Sequence, residues 1–388
     1  MGLFCIFKGG TLMKNFELKT EIKFGLGSLE ALQEIQDKSV LIITDPFMVE
    51  SGNINKIVEN LKGATYEVFS EIVPDPPIET IVKGVEAFNK VDPNVIVAVG
   101  GGSAIDAAKA IMDFSKKILN KTYVEFIAIP TTSGTGSEVT SFAVITDKQK
   151  GVKYPLVSDD LLPDIAILDP ELVKTVPNFI TADTGMDVLT HAIEAYVSTD
   201  ADDFSDAFAE KAIKLVFKYL RRAYNDGEDI EAREKMHIAS CLAGLAFNHA
   251  SLGINHSIAH ALGGKFKIPH GRTNALLLPH VVEYNSDIKN NVGGEYSIAA
   301  QKYYEIAKLL GFNSTNIRVG VKRLINEIKY LQNDMNMVTT LSDCGIKEKD
   351  LSAFKDEIAV AALNDTCTKT NPKNPTHKEI VSIIKNLI

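Results

Sequence analysis

Long apolar runs are missing from this chain of 388 residues. Apolar runs such as those over residues 40–43 and 95–99 have the length of strands rather than of a bilayer span, so they predict buried sheet and no membrane partner. Clusters of Lys and Arg are missing too. With a net charge of −9 and a pI of about 5.5, nothing in the chain would neutralise a run of phosphates, which argues against a nucleic-acid partner. Cysteine is scarce: Cys5, Cys241, Cys344 and Cys367 lie far apart without paired spacing, so free thiols in a reducing cytoplasm are expected rather than a disulfide framework. No secretion signal is expected either, because Leu3-Phe4-Cys5-Ile6-Phe7 is too short and has no n-region before it and no small-residue cleavage site after it. Met13 opens the first recognisable strand pattern, which leaves residues 1–12 as an extension, either an artefact of the assigned start or a short docking tag.

What is present is a chain 45% hydrophobic and too long for one ordinary core, so two domains are expected. Up to about residue 168, short apolar runs alternate with helical periodicity: strands over 40–44, 66–69, 95–99 and 126–130, and helices over 54–61, 78–89 and 104–114. That alternation predicts parallel strands joined by crossover helices. Beyond residue 181 the strand signals stop, and helical periodicities follow over 182–197, 203–219, 230–248, 256–263, 297–310 and 319–331. Prolines at Pro170 and Pro177 interrupt both patterns, which sets the expected domains at 1–180 and 181–388. A cleft between an α/β domain and a helical one is a natural place for two substrates to meet.

In the first half, the apolar run 95–99 leads into Gly100-Gly101-Gly102-Ser103 and then a helix. Glycines let backbone approach a pyrophosphate, and a helix N-terminus offers free N–H groups to it. The usual G-x-G-x-x-G is absent, so the competing reading is a tight turn with Ser103 as N-cap. A second loop, Pro130-Thr131-Thr132-Ser133-Gly134-Thr135-Gly136-Ser137-Glu138, also leaves a strand and stacks hydroxyls beside glycines, which favours a ligand over a merely solvated loop. Asp45 ends the strand 40–44, where a carboxylate can take hydrogen bonds from an adenosine ribose and repel a 2′-phosphate, pointing to NAD over NADP. Asp45-Pro46 is equally a good N-cap followed by an N1 proline, and both readings stand.

The second half carries the sharper signal. Asp187 and His191 lie one helical turn apart, His256 and His260 repeat that spacing, and His270 follows a Gly263-Gly264 break in a Pro-His-Gly turn. An i,i+4 acid and histidine alone would more often be a surface ion pair, but residues 182–196 are otherwise apolar. Asp187 with three of the four histidines would fill a four-ligand shell for a divalent metal. Such an ion polarises an alcohol or carbonyl oxygen, and the remaining histidine can relay a proton near neutrality.

Taken together, these residues resemble the iron-dependent (group III) alcohol dehydrogenase family, from Leu18 essentially to the C-terminus. The likeness rests on Gly100-Gly101-Gly102-Ser103 with Asp106 and Lys109, the loop 130–140, the run from Gly185 to Tyr196 around Asp187 and His191, and Leu252-Gly253 ahead of the histidine cluster. It implies an N-terminal α/β Rossmann-like dinucleotide-binding domain and an all-α C-terminal metal-binding and catalytic domain, the plan shared with dehydroquinate synthase. It further implies metal ligands at Asp187, His191, His256 and His270, with Fe²⁺ the usual ion and Zn²⁺ in some members. His260 then lies beside the nicotinamide as the catalytic histidine. NAD contacts fall on Asp45, Gly101, Gly102, Ser103, Thr131, Thr132, Thr135, Thr140, Lys153 and His260, and Phe142, Phe247 and Cys367 fall where members line the substrate pocket. The family implies a homodimer or larger assembly.

Two departures stand out: Pro74-Asp75-Pro76 where many members have Asn-Pro, and Asn371-Pro372-Lys373 where Asn-Pro-Arg is common. A narrower likeness, in the segments 69–76, 153–156 and 162–172, is to the branch that handles 1-propanol inside bacterial microcompartments. It implies reduction of a short aldehyde with NADH, residues 1–12 as a packaging tag, and shell or lumen proteins as partners. The alternatives are a metal-dependent polyol dehydrogenase of the glycerol or 1,3-propanediol type, a dehydroquinate synthase-like cyclase and, from another class, a non-catalytic shell or scaffold component supported only by residues 1–12.

Overall fold

The computed structural model describes residues 15–148, 150, 152–290 and 294–388, so the reading of residues 1–12 lies outside the described residues. The chain divides into two compact units, Met1–Thr132 with Gly136–Val173, and Ser133–Thr135 with Lys174–Ile388.

The first unit is built on six parallel strands: β1 (Glu21–Phe24), β2 (Gln36–Thr44), β3 (Gly63–Phe69), β4 (Val95–Gly100), β5 (Glu125–Pro130) and, after the antiparallel hairpin β6 (Phe142–Asp147) and β7 (Val152–Val157), β8 (Ile165–Leu168). Helices α1 (Pro46–Glu50), α2 (Ile54–Val58), α3 (Ile78–Val91) and α4 (Gly102–Leu119) connect them. Both faces of the sheet are covered, which is why the central strands read as unbroken apolar runs. Successive residues serve opposite faces. Leu41, Ile43, Ile96 and Ala98 pack with Ile81, Phe88 and Ile111 from α3 and α4, whereas Val40, Ile42, Val95, Val97 and Val99 pack with Met48 and Ile57 from α1 and α2.

The order β1-β8-β5-β4-β2-β3 reverses direction between β2 and β4. After β3 the chain returns to the far side of β2, and the carboxyl ends of β2 and β4 form a topological switch point, where open α/β sheets take their ligands. Asp45 and Gly100 lie at that point, because Thr44 pairs with Val99. Gly100 has φ +150°, a conformation other residues avoid, and a side chain there would press on Ala104 and the Asp45 carboxylate. The N-cap of α4 is Gly101, and Ser103 is the second helical residue, so the reading of Ser103 as N-cap is corrected. Four strands lay beyond the sequence reading. β1 and β8 have only four residues each, too few to show a pattern although β8 is wholly apolar, and β7 is mostly exposed and holds Pro155.

The second unit holds nine helices among the described residues: α5 (Asn178–Val197), α6 (Asp203–Asn225), α7 (Ile230–Ala250), α8 (Ile254–Phe266), α9 (His270–Ser286), α10 (Ile298–Leu309), α11 (Ile317–Asp334), α12 (Glu348–Asn364) and α13 (His377–Lys385). Their starts follow capping chemistry: Asp202 and Thr376 form capping boxes with Ser205 and Glu379, and Asp229, Ser297 and Asn316 accept backbone N–H groups. Helix α5 is buried on every side from Gly185 to Val197, the mark of a central helix. Gly271 lets α9 meet it closely, since a Cβ there would collide with the Asp183 carbonyl.

Two expectations around the histidines are corrected. Helix α8 continues through Gly263-Gly264 to Phe266 and ends at a left-handed Lys267, φ 57°. His270 therefore does not sit in a turn; it is the first residue of α9, with Pro269 as its N-cap. Helix α9 escaped notice because Pro279 lies inside it and it is buried on most sides, which blurs any apolar stripe.

Candidate metal centre and nucleotide site

Helix α5 presents Asp187 and His191 one turn apart, α8 contributes His256 near its start, and α9 contributes His270 as its first residue. One donor atom from each of the four lies within 4.8 Å of all the others. Asp187 Oδ1 is 3.7 Å from His256 Nε2 and 3.6 Å from His270 Nε2. The His191 and His256 rings stack at 4.6 Å. Asp187, His191 and His256 are buried, while the His270 side chain keeps 44% of its surface exposed.

Asn274, one turn beyond His270, directs its Nδ2 to Asp187 Oδ1 at 2.7 Å, His256 Nε2 at 3.0 Å and His270 Nε2 at 3.1 Å. Three acceptor atoms thus converge on one small electropositive group. Three imidazole nitrogens and a carboxylate oxygen at such separations make a donor set suited to a divalent transition metal. His191 Nδ1 is buried with no hydrogen-bond partner among the described residues, a further sign that this cluster is not a self-satisfied polar core.

The electrostatics fit the same donor set. Burial would raise the Asp187 carboxyl, but the His191, His270 and His256 imidazoles outweigh it and hold Asp187 well below the usual range. Burial drives His191 down to about 3, so it is a neutral ring with one nitrogen lone pair to offer. His256 is opposed by burial yet pushed up to about 9 by the Glu194 and Asp187 carboxylates, so a cation binding here would displace the proton on its Nε2.

His260 lies outside this four-donor group. Its Nδ1 is 2.9 Å from Asp365 Oδ2, and its side chain is 46% exposed. Burial would raise Asp365, but hydrogen bonding to His260 holds it well below the usual range. Asp365 also accepts from the Cys367 N–H at 2.9 Å, and burial followed by the Asp365 charge pushes the Cys367 thiol well up. Phe247 on α7 stacks against His191 at 4.6 Å. Glu194, Asn274 and Asp365 were not singled out by the sequence reading. Glu194 had a signal: it lies two turns from Asp187 on the same face of an apolar helix. Asn274 shares a face with His270 only once α9 is known, and nothing local marks Asp365.

In the first unit, Asp45 caps α1, accepting the Met48 N–H at 3.2 Å, so the capping reading holds whatever else the carboxylate does. Gly101, Gly102 and Ser103 form the start of α4 and leave its first N–H groups at the switch point. Thr131 follows β5 and donates its N–H to Gly100 O at 3.0 Å, which brings the glycine turn and the head of the hydroxyl loop together, with Thr132 beside Gly101. Thr140 is buried, and Lys153 on β7 pairs with Asp75 at 2.6 Å. Phe142 opens β6 and gives its carbonyl to Lys109. Thr135 belongs to the second unit, in the segment Ser133–Thr135. In that unit Ser133 Oγ meets His237 Nδ1 at 3.0 Å. None of Cys241, Cys344 and Cys367 is in a disulfide.

Comparison with known proteins covers both units. Residues 19–170 match the model of the iron-containing alcohol dehydrogenases, and residues 181–388 match that of the C-terminal part of the Fe-containing alcohol dehydrogenase family. A 1-propanol dehydrogenase, PduQ, of Salmonella typhimurium is 45% identical over 97% of this chain and 100% of its own. The NADPH-dependent butanol dehydrogenase of Clostridium saccharobutylicum is 40% identical over 96% and 97%. Among solved structures, sulfoacetaldehyde reductase from Bifidobacterium kashiwanohense in complex with NAD⁺ superposes with a TM-score of 0.83 at 31% identity, covering 97% of this chain and 99% of that one.

Proposed function

Since this chain belongs to the iron-containing alcohol dehydrogenase family, we propose that it interconverts short-chain primary alcohols and aldehydes, such as 1-propanol and propanal, by hydride transfer with NAD(H). The observation that carries the reading is the convergence of Asp187 Oδ1, His256 Nε2 and His270 Nε2 on a single spot, with His191 beside them.

Asp187, His191, His256 and His270 would hold the ion, Fe²⁺ by family and Zn²⁺ as the alternative. When bound, it supplies Lewis acidity towards an alcohol or carbonyl oxygen. The protein supplies position and proton handling. Asp365 takes the Nδ1 side of His260, which leaves Nε2 to receive the alcohol proton, and the half-exposed ring passes it to water. Phe247 and Cys367 give the substrate chain apolar walls in the second unit, and Phe142 is the family's counterpart in the first. Gly101, Gly102 and Ser103 bind the pyrophosphate through the α4 N-terminus, and the hydroxyls of Thr131, Thr132, Thr135 and Thr140 with Lys153 serve the rest of the dinucleotide. Likeness to the 1-propanol enzyme favours 1-propanol and propanal as the substrate pair; aldehyde reduction as the working direction, a place in a bacterial microcompartment in the cytoplasm and a homodimer or larger assembly belong to the same proposal.

The test is NADH oxidation at 340 nm with propanal. Dialysis against a chelator should abolish it and anaerobic Fe²⁺ should restore it, while His260→Ala should keep its metal and turn over about 10²–10⁴-fold more slowly. Activity with glycerol or 1,3-propanediol but not with two- to four-carbon aldehydes would move the assignment to the polyol enzymes.

Asp45 decides the nucleotide. Asp45→Ala should cost about 1 kcal/mol from the lost cap. Like charges placed together cost several kcal/mol, so its preference for NADH over NADPH should also fall about tenfold or more. An unchanged ratio would leave Asp45 a cap and nothing else, in keeping with the NADPH-dependent butanol relative.

A further inference from the structure

Glu194 lies on α5 seven residues beyond Asp187 and is 3% exposed, a carboxylate that hydride transfer does not call for. Its Oε2 is 2.5 Å from His256 Nδ1, and its Oε1 accepts the Asn255 N–H at 2.7 Å. The second contact is at the start of α8, where Ile254 N–H goes to Asn371 Oδ1 at 3.2 Å. One side chain of α5 therefore caps α8 and grips the histidine that α8 offers. The consequence is chemical. A carboxylate can only accept, so it requires His256 to carry its hydrogen on Nδ1. That leaves the Nε2 lone pair pointing the other way, towards Asp187, Asn274 and His270.

We propose that Glu194 is the positioning residue of the metal centre: it fixes the Nδ1–H form and the orientation of His256, and thereby sets how tightly the ion is held. This rests on the metal-centre reading above. A ring free to choose its hydrogen would spend part of its time with Nε2–H facing the ion, and a ring free to turn would lose aim.

Glu194→Gln tests it. The amide matches the carboxylate in shape and can still cap Asn255 through its oxygen, but it then turns its NH₂ to His256 Nδ1 and demands the opposite tautomer. The metal-stripped variant should keep the melting temperature of metal-stripped wild type within a few degrees. Its affinity for Zn²⁺, measured by competition with a chromophoric chelator, should fall about 10- to 100-fold, as partners of metal-bound histidines typically cost. Glu194→Asp, which keeps the charge but not the reach, should show a smaller loss and serves as the test if the glutamine variant is insoluble. Wild-type Zn²⁺ affinity in either variant, while His270→Ala has lost it, overturns the proposal. Wild-type affinity in the His270→Ala protein as well overturns the metal-centre reading beneath it.

Discussion

Replacement of His270 by alanine is expected to abolish metal retention and lower turnover about a thousandfold or more, while leaving NADH binding as it was. The size follows from what the ion contributes, several kcal/mol of charge stabilisation in the transition state, each 1.36 kcal/mol being a factor of ten. His270 is the right donor to remove because it can go without breaking a core. Its side chain is 44% exposed, and it occupies the first position of α9, where alanine is well tolerated. Asp187, by contrast, is buried among imidazoles that depend on its charge, so its loss would mix ligand and folding effects. Two measurements suffice: elemental analysis after gel filtration against a chelator, and NADH fluorescence titration. An active, metal-free variant would contradict the proposed chemistry, and one that keeps its metal would remove His270 from the ligand set.

Lys109→Met is expected to cost the first unit about 3–5 kcal/mol, the usual result of removing one partner from a buried charged network. Lys109 is fully buried on α4, and its Nζ donates to Thr140 O at 2.7 Å, Phe142 O at 2.8 Å and Ser137 Oγ at 3.2 Å. Asp106, on the same helix, takes the Ser137 hydroxyl at 2.6 Å and the Val144 N–H at 3.0 Å. The pair fastens the end of the hydroxyl loop to the helix that begins with the glycine turn, so NADH affinity should fall along with stability. Burial pushes Lys109 down to about 8 and Glu138 up to about 7. The sign of the pH effect follows from Glu138. Its folded pKa is raised, so burial costs nothing below about 4.5, where it is protonated in both states, and costs the full amount above about 7. Without the lysine that cost grows, and the variant's deficit in thermal melts should be larger at pH 8 than at pH 5. A deficit under about 1 kcal/mol, or one independent of pH, would contradict the network.

The parts of the molecule legible in the sequence are those where burial writes a simple pattern. Residues 95–99 and 40–43 lie between two helical layers and so carry apolar side chains at every position, which no exposed element would. The acid and histidine pairs on α5 and α8 were visible because a helix turns spacing four into a shared face. What stayed hidden depends on partners distant in sequence. In the hairpin β6–β7 the second strand is mostly exposed and is held by backbone pairing to the first, and α9 is enclosed on too many sides to show a stripe. Asn274 acquires meaning only when His270 is helical, and Asp365 meets His260 across 105 residues of chain.

The uneven cover of the four donors bears on which ion the proposed site would carry. Three are sealed between helices and one faces water, so an ion held by these four residues would exchange on the His270 side. Imidazole and carboxylate favour Zn²⁺ over Fe²⁺ in the general order of divalent affinities. With a door rather than a vault, occupancy follows supply: the same polypeptide made in iron-rich, oxygen-free culture and in zinc-rich medium should emerge with different ions and different specific activities.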